Sequence, residues 1–187
     1  MSEAIFPRYT RRLELRFHTA EDAADLLRVY SQKSVARYLL EDRWDEEYTQ
    51  EQLAKRISRV TLDQEPHALA LVVANDMGRY VGDLALWLTD IPHRQAEIGW
   101  VSDPQCAGLG YLREAANELL TLAFGPLRVH RVVAHMDARN AASAALAERL
   151  GFRKEGYLRG DLFSKNEYTD TLIYGMLAED LPTCEPA

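Results

Sequence analysis

The stretch Asp103-Pro104-Gln105-Cys106-Ala107-Gly108-Leu109-Gly110-Tyr111 decides how this chain is interpreted. It joins a predicted strand, residues 95–102, to an apolar run at helical spacing that stops at Gly125-Pro126. The first turn of a helix has backbone N–H groups without intrahelical partners, and such groups bind anions. The two glycines allow a positive φ and the close approach of a ligand. The sequence therefore predicts a phosphate- or pyrophosphate-binding loop, with a plain tight turn as the alternative.

Two common classes of phosphate loop do not fit this stretch. A dinucleotide-binding fold needs a third glycine and an acidic residue about 20 residues further on. Arg113 occupies the third glycine position, and no strand ending in an acid follows at that distance. An NTPase loop needs Gly-Lys-Ser/Thr, whereas Gly110 is followed by Tyr111-Leu112. Both classes are excluded.

Two further sequence blocks point to a third class. The pattern Gln105-x-x-Gly108-x-Gly110 is followed by a predicted strand that leads into Asn140-x-x-Ser143, and then by Gly151-Phe152-x-x-Glu155-Gly156. This order resembles the GNAT acyltransferase superfamily, in particular the branch that contains the ribosomal-protein N-terminal acetyltransferases. Residues 80–176 carry most of the positions that match the family, and few positions before residue 80 match it. The chain departs from the family form at Cys106-Ala107, where larger side chains are usual, so cofactor binding there would depend on backbone amides.

The predicted elements follow the order β-α-α-β-β-β-α-β-α-β-β, which indicates an α/β (α+β) domain. The resemblance implies the GNAT fold, a central mixed, mostly antiparallel sheet with two splayed strands, flanked by about four helices. We expect residues 1–187 to form a single domain, with a disordered tail at residues 182–187.

Composition limits the classes of partner. The 187 residues carry a formal net charge of −7, whereas nucleic-acid binding needs a basic surface, so no nucleic-acid partner is expected. An acidic chain suits a cationic amine, and it equally suits solubility. The sequence shows no signal-peptide pattern and no run of 18 apolar residues, so we expect a cytoplasmic protein without a membrane partner. The two cysteines, Cys106 and Cys184, form no metal-ligand pattern, so no metal is expected, and a homodimer stays open.

The resemblance implies acetyl-CoA as the co-substrate and assigns residues to it. The pyrophosphate would bind the loop beginning at Gln105, through the free N–H groups of Ala107, Gly108, Leu109, Gly110 and Tyr111. The pantetheine arm would lie along the preceding strand at Trp100, Val101 and Ser102. Asn140 and Ser143 would bind the same arm. Asn140 is also a predicted N-cap, and serine is common in a first helical turn for local reasons.

The activity implied by the resemblance is direct acetyl transfer to a primary amine, either a protein N-terminal amine or a small-molecule amine. The amine must lose a proton, and Glu97 on the strand is the candidate base. An exposed strand glutamate bonded to a neighbour is the alternative for Glu97. Ser143, Tyr157 or water could protonate the departing thiolate. The expected catalytic residues are therefore Glu97 and Ser143.

The acceptor is the least specified part of this prediction. In the family, the first helices and the last strand pair line the acceptor pocket, and aromatic and acidic side chains there would suit a cationic amine. In this chain these are Trp44, Tyr48, Trp87, Phe163 and Tyr168, with Asp42, Asp45, Glu46 and Glu47. Trp87 is expected in the core, and all five histidines are expected to be structural or on the surface. A non-catalytic acyl-CoA-binding regulatory module is the alternative function; Glu97, Asn140 and Ser143 favour the enzyme.

Overall fold

A nine-stranded sheet organises residues 5–182, which are the residues that this computed structural model describes. The strands are β1 (Arg8–Tyr9), β2 (Leu13–Phe17), β3 (Val60–Thr61), β4 (Ala68–Asn75), β5 (Tyr80–Asp90), β6 (Gln95–Ser102), β7 (Arg131–Asp137), β8 (Arg153–Ser164) and β9 (Glu167–Leu177). The helices are α1 (Ala23–Tyr30), α2 (Lys33–Ala36), α3 (Glu46–Ile57), α4 (Tyr111–Phe124) and α5 (Ala141–Leu150). Cys184 and residues 183–187 of the predicted tail lie outside the described residues.

The sheet is mixed and mostly antiparallel, as predicted. Its strand order is β1-β2-β4-β5-β6-β7-β9-β8, with β3 paired to β4. The pairing of β6 with β7 is parallel, and the other pairings are antiparallel. The described part of the chain has five helices where about four were expected, because the four-residue α2 is too short to show a periodic pattern.

The splayed strands are β6 and β7. They pair only where residues 95–97 meet residues 131–133. Beyond this point β6 stays paired with β5 as far as Ser102, while β7 stays paired with β9 as far as Asp137. The two facing edges therefore separate after Glu97 and leave a gap bordered by backbone groups that the sheet does not use.

The two faces of the sheet are covered by different helices. Along β4, residues 69, 71 and 73 pack into the core that contains the buried face of α4. Val72 faces the other way and packs with Leu26, Val29 and Leu53 of α1 and α3. Alternation along a strand explains this division, and burial on both faces explains why residues 68–74 are apolar throughout. Among residues 5–182, no helix has the length and apolar character needed to cross a bilayer.

Candidate functional site

The loop after β6 is held in place by one buried carboxylate. Asp103 is completely buried. One of its oxygens accepts the N–H of Gln105 at 3.0 Å, and the other accepts from the guanidinium of Arg28 at 2.6 Å, with Arg79 at 3.8 Å. The side-chain carbonyl of Gln105 accepts from Arg79 at 2.5 Å. Two arginines thus compensate the buried charge and fix the start of the loop.

The loop presents free N–H groups, but fewer than predicted. Gly108 has φ +77° and Gly110 has φ +76°, and a Cβ built on Gly108 would meet nothing within 4 Å. Within residues 5–182, the N–H groups of Gly108, Leu109, Gly110 and Tyr111 have no protein acceptor. The prediction was wrong for Ala107, whose N–H donates to the Pro104 carbonyl at 3.2 Å because residues 104–106 form a 3-10 turn. The free donors therefore begin at Gly108.

Arg12, the residue before β2, supports this loop, and sequence reasoning missed it. Its guanidinium donates to the Leu109 carbonyl at 3.1 Å and lies 4.7 Å from the centre of the Tyr111 ring. Glu114 on α4 accepts from Arg12 at 2.7 Å and from the Thr10 hydroxyl at 2.5 Å. Burial raises the pKa of Glu114, but these hydrogen bonds outweigh it and bring the pKa below its ordinary value. No local motif marks Arg12, which lies about 100 residues before the loop in the chain.

A cavity of about 600 Å³ opens at the gap between β6 and β7, on the face covered by α1 and α3. Five of the predicted site residues line it, namely Glu97, Trp100, Val101, Asn140 and Ser143. Ser102 and the loop residues lie beyond it, at the other end of β6. The Ser102 hydroxyl donates to the Asp103 carbonyl at 3.2 Å, so its side chain is engaged with the loop.

Glu97 and His135 meet where β6 and β7 separate. Nδ1 of His135 lies 3.1 Å from a carboxylate oxygen of Glu97, and both side chains are part-exposed to the cavity. Val133 is the partner of Glu97 in the last strand pair, and His135 is two residues further along the same face of β7. His135 is exposed, as the prediction of a structural or surface position allows, and its contact with Glu97 is an addition that the sequence did not predict. A carboxylate beside an imidazole can accept a proton and pass it on.

Trp100, Asn140 and Ser143 are connected across the gap. The side-chain oxygen of Asn140 accepts the N–H of Ser143 at 3.1 Å, which confirms the predicted N-cap of α5. Nε1 of Trp100 donates to the Ser143 hydroxyl oxygen at 3.2 Å. Because this oxygen acts as an acceptor, the hydroxyl hydrogen of Ser143 stays available to a ligand.

A buried polar cluster forms the inner wall of the cavity. The Tyr30 and Tyr80 hydroxyls donate to the carboxylate of Asp83 at 2.9 and 2.7 Å, and Arg56 donates to the Tyr30 hydroxyl at 3.1 Å. Burial and the charge of Asp83 raise the pKa of both tyrosines well above the ordinary value, so they stay protonated. The Trp44 ring stacks on Tyr30, with ring centres 3.9 Å apart.

The aromatic and acidic residues predicted for the acceptor pocket are only partly there. Trp44 and Trp87 line the cavity, and Trp87 is part-exposed rather than a core residue as expected. Phe163 and Tyr168 contact each other at an exposed position, with ring centres 4.9 Å apart. Different carboxylates line the cavity from those predicted, namely Glu41, Asp83, Glu97, Asp137, Asp161 and Glu167. The predicted Asp42, Asp45, Glu46 and Glu47 are exposed and lie outside its lining.

Comparison with known proteins identifies the family. Residues 12–153, three quarters of the chain, match the family model described as an acetyltransferase (GNAT) domain. The chain belongs to the GNAT acetyltransferase family. A full-length relative is the uncharacterized N-acetyltransferase p20 of Bacillus licheniformis, 26% identical over 92% of this chain and 96% of that protein. YdaF of Bacillus subtilis, named as a candidate ribosomal N-acetyltransferase, is 32% identical over 55% of this chain and 56% of its own length.

The solved structures agree with this assignment. A GNAT-family acetyltransferase from Bacillus anthracis superposes with a TM-score of 0.82 and 26% identity, covering 91% of this chain and 98% of that one. The GNAT fold predicted from the loop and the Asn140 block is therefore confirmed. The family membership also confirms the predicted enzyme class, an N-acetyltransferase.

Proposed function

We propose that this protein transfers the acetyl group of acetyl-CoA to a primary amine by direct attack. The observation that carries the proposal is the order of features along β6. Glu97 stands where the gap closes, five residues of open strand edge follow, and the free N–H groups of residues 108–111 come next. At about 3.3 Å per residue the open edge is roughly 17 Å long, which suits an extended cofactor arm.

The cofactor would bind mainly through backbone groups. Its pyrophosphate would accept hydrogen bonds from Gly108, Leu109, Gly110 and Tyr111, with the N-terminus of α4 adding attraction for negative charge. The pantetheine amides would pair with the edge of β6 at Trp100, Val101 and Ser102. The Asn140 side chain and the Ser143 hydroxyl would contact the same arm from α5.

The chemistry needs a base, an oxyanion donor and a proton for the thiolate. Glu97 would take a proton from the ammonium group, directly or through water, with His135 beside it to receive that proton. The amine nitrogen would then bond to the thioester carbon, whose oxygen would be stabilised by N–H groups on the open edge of β6. When the C–S bond breaks, the Ser143 hydroxyl would protonate the leaving thiolate, and the proton that the attacking nitrogen loses as the amide forms would return to Ser143 through water.

Calorimetry tests the cofactor assignment. We expect the purified protein to bind acetyl-CoA and CoA with micromolar affinity and not to bind NADH. Thiol release with a panel of amines then tests the transfer reaction, with peptides representing protein N-terminal amines, and polyamines and amino acids as small-molecule amines. Absence of binding to both CoA species would mean that the loop is only a structural turn.

We further propose that the chain acts as one domain in the cytoplasm, without a nucleic-acid or membrane partner. Residues from Tyr30 to Thr171 line a single cavity, so most of the chain is needed to build it. A homodimer is the assembly to test, by light scattering of the full-length protein.

A further inference from the structure

The cations that line the cavity differ in whether they have partners. Arg139 pairs with Asp137 and Glu167 at 2.7 and 2.9 Å. The ammonium group of Lys165 donates to the carbonyls of Ala36 and Leu39 at 2.5 and 2.8 Å. These two cations are therefore satisfied by the protein itself.

The remaining cations are less well satisfied. Arg37 is exposed, and its guanidinium lies 5.1 Å from the centre of the Tyr38 ring. Arg56 donates to the Tyr30 hydroxyl. The part-buried Arg59 lines the cavity with no hydrogen bond or ion pair from its guanidinium to any residue in the range 5–182. Burial lowers the pKa of Arg59, and the neighbouring charge of Arg56 lowers it further. Arg59 is thus an uncompensated cation on the cavity wall.

The Trp44 ring supports Arg56 on this wall. Trp44 is only 4% exposed, and its Nε1–H has no hydrogen-bond partner in the described structure. The guanidinium of Arg56 lies 4.7 Å from the centre of the Trp44 ring. Nε1 of Trp44 has almost no accessible surface, so Trp44 shapes the wall through its ring and offers no donor to a ligand.

A row of small paired residues connects Arg59 to β6, the strand that carries Glu97. The Ala70 N–H donates to the Arg59 carbonyl at 2.8 Å, which places Arg59 beside Ala70. Ala70 pairs with Ala85, and Ala85 pairs with Gly99 on β6. Directly paired residues share a face, so this row contributes only small side chains between Arg59 and β6. At the β6 end the ring of Trp87 lies over Gly99, 3.4 Å from where a Cβ of that residue would stand.

The distance along this row can be worked out from the strand spacing. Three steps of about 4.8 Å separate the Cα atoms of Arg59 and Gly99 by about 14 Å, and Glu97 is two residues from Gly99. Both side chains line the cavity and take up part of this span. The remaining span suits two extended residues, which cover about 7 Å.

We propose that Arg59, with Arg56, forms a carboxylate-binding subsite for the acceptor. The acceptor is then a zwitterion of about dipeptide length, with its amine at Glu97 and its carboxylate at Arg59. A polyamine would instead place a positive charge against an uncompensated arginine. This proposal rests on the proposed function, since it places the reacting amine at Glu97.

Binding to the full-length protein saturated with CoA tests the subsite without requiring turnover. The probes are L-alanyl-L-alanine, its C-terminal amide, and L-aspartyl-L-alaninamide, whose only carboxylate is on the side chain. We compare the wild type with Arg59→Gln and with Lys55→Gln, which removes one positive charge from the exposed side of the neighbouring α3. Calorimetry gives the affinities, and circular dichroism confirms that each variant is folded.

We expect one of the two carboxylate-bearing peptides to bind the wild type at least tenfold more tightly than the amide, which carries the amine but no carboxylate. Arg59→Gln should abolish that preference, and Lys55→Gln should retain it. The peptide preferred identifies whether the carboxylate is terminal or on the side chain. Equal affinities for all three peptides, no binding of either acid, or an unchanged preference in Arg59→Gln would overturn the subsite.

Thiol release from acetyl-CoA, measured on the same samples, separates this proposal from the proposed function. A carboxylate preference that depends on Arg59, without thiol release, would retain the subsite and reject the transferase assignment for these acceptors. Thiol release at the same rate with the acid and the amide, unaffected by Arg59→Gln, would retain the transferase and reject the subsite.

Discussion

Substitution of Gly108 by valine should separate the role of this residue in cofactor binding from its role in folding. Gly108 and Gly78 are a matched pair, because they have φ values of +77° and +74°, and a Cβ at either position meets nothing within 4 Å. Gly78 lies in the turn between β4 and β5. The two valine variants therefore introduce the same backbone strain at two different places.

The expected magnitudes follow from this geometry. The left-handed conformation costs an L-residue about 1–2 kcal/mol, so both variants should lose that much free energy of unfolding. Only Gly108→Val places a branched side chain over the free N–H groups at Gly108 and Leu109. Loss of two hydrogen bonds to a charged phosphate, at about 1.5–3 kcal/mol each, corresponds to a loss of acetyl-CoA affinity of more than about 100-fold.

Urea denaturation measures the free energy of unfolding, and calorimetry measures the affinity for acetyl-CoA. Gly78→Val should bind acetyl-CoA as the wild type does. The reasoning is refuted if folded Gly108→Val keeps wild-type affinity, or if Gly78→Val loses affinity to the same extent.

Three further predictions concern the base, the loop anchor and a buried histidine. Glu97→Gln should lower kcat for thiol release by about 100-fold or more and leave the acetyl-CoA affinity unchanged, because a general base contributes to the chemical step. An unchanged kcat would exclude Glu97 as the base. Asp103→Asn should lower the free energy of unfolding, measured by urea denaturation, by about 3 kcal/mol. This is the low end for a broken buried ion pair, because Arg28 is part-exposed and also contacts Asp25. A wild-type denaturation midpoint would contradict this prediction. Burial lowers the pKa of His18 to about 4, whereas its ordinary value in the unfolded chain is about 6.5. As the pH falls from 6.5 to 4, only the unfolded state gains the proton, so the free energy of unfolding should fall by about 3 kcal/mol. His18→Phe should flatten this slope, whereas a change at the exposed His130, to Gln, should not.

The sequence predicted best what depends on neighbours along the chain. Gly108 and Gly110 have the positive φ values that their spacing suggested, and Asn140 caps α5 through its side chain. Strand β6 has the predicted limits, residues 95–102. Each of these features is set within one turn or one strand, where local steric and hydrogen-bonding preferences dominate.

What the sequence did not predict depends on register between strands. His135 contacts Glu97 because only three residue pairs join β6 and β7 before they part, and alternation along β7 alone cannot reveal that. Arg59 faces Gly99 through two intervening strands whose offsets are set by tertiary pairing. A shift of one residue in either pairing would turn the side chain to the other face.

The lining of the cavity also changes how the net charge should be interpreted. It carries six carboxylates and five arginine or lysine side chains, so the overall charge of −7 is not concentrated there. An expectation of a cationic acceptor based on total charge therefore loses its support. Selection of the acceptor depends instead on which charged side chains of the cavity lack partners. Arg139 and Lys165 are paired with groups of the protein itself, whereas Arg59 is not. An acceptor with an amine at one end and a carboxylate at the other would place the amine beside Glu97 and pair the carboxylate with Arg59.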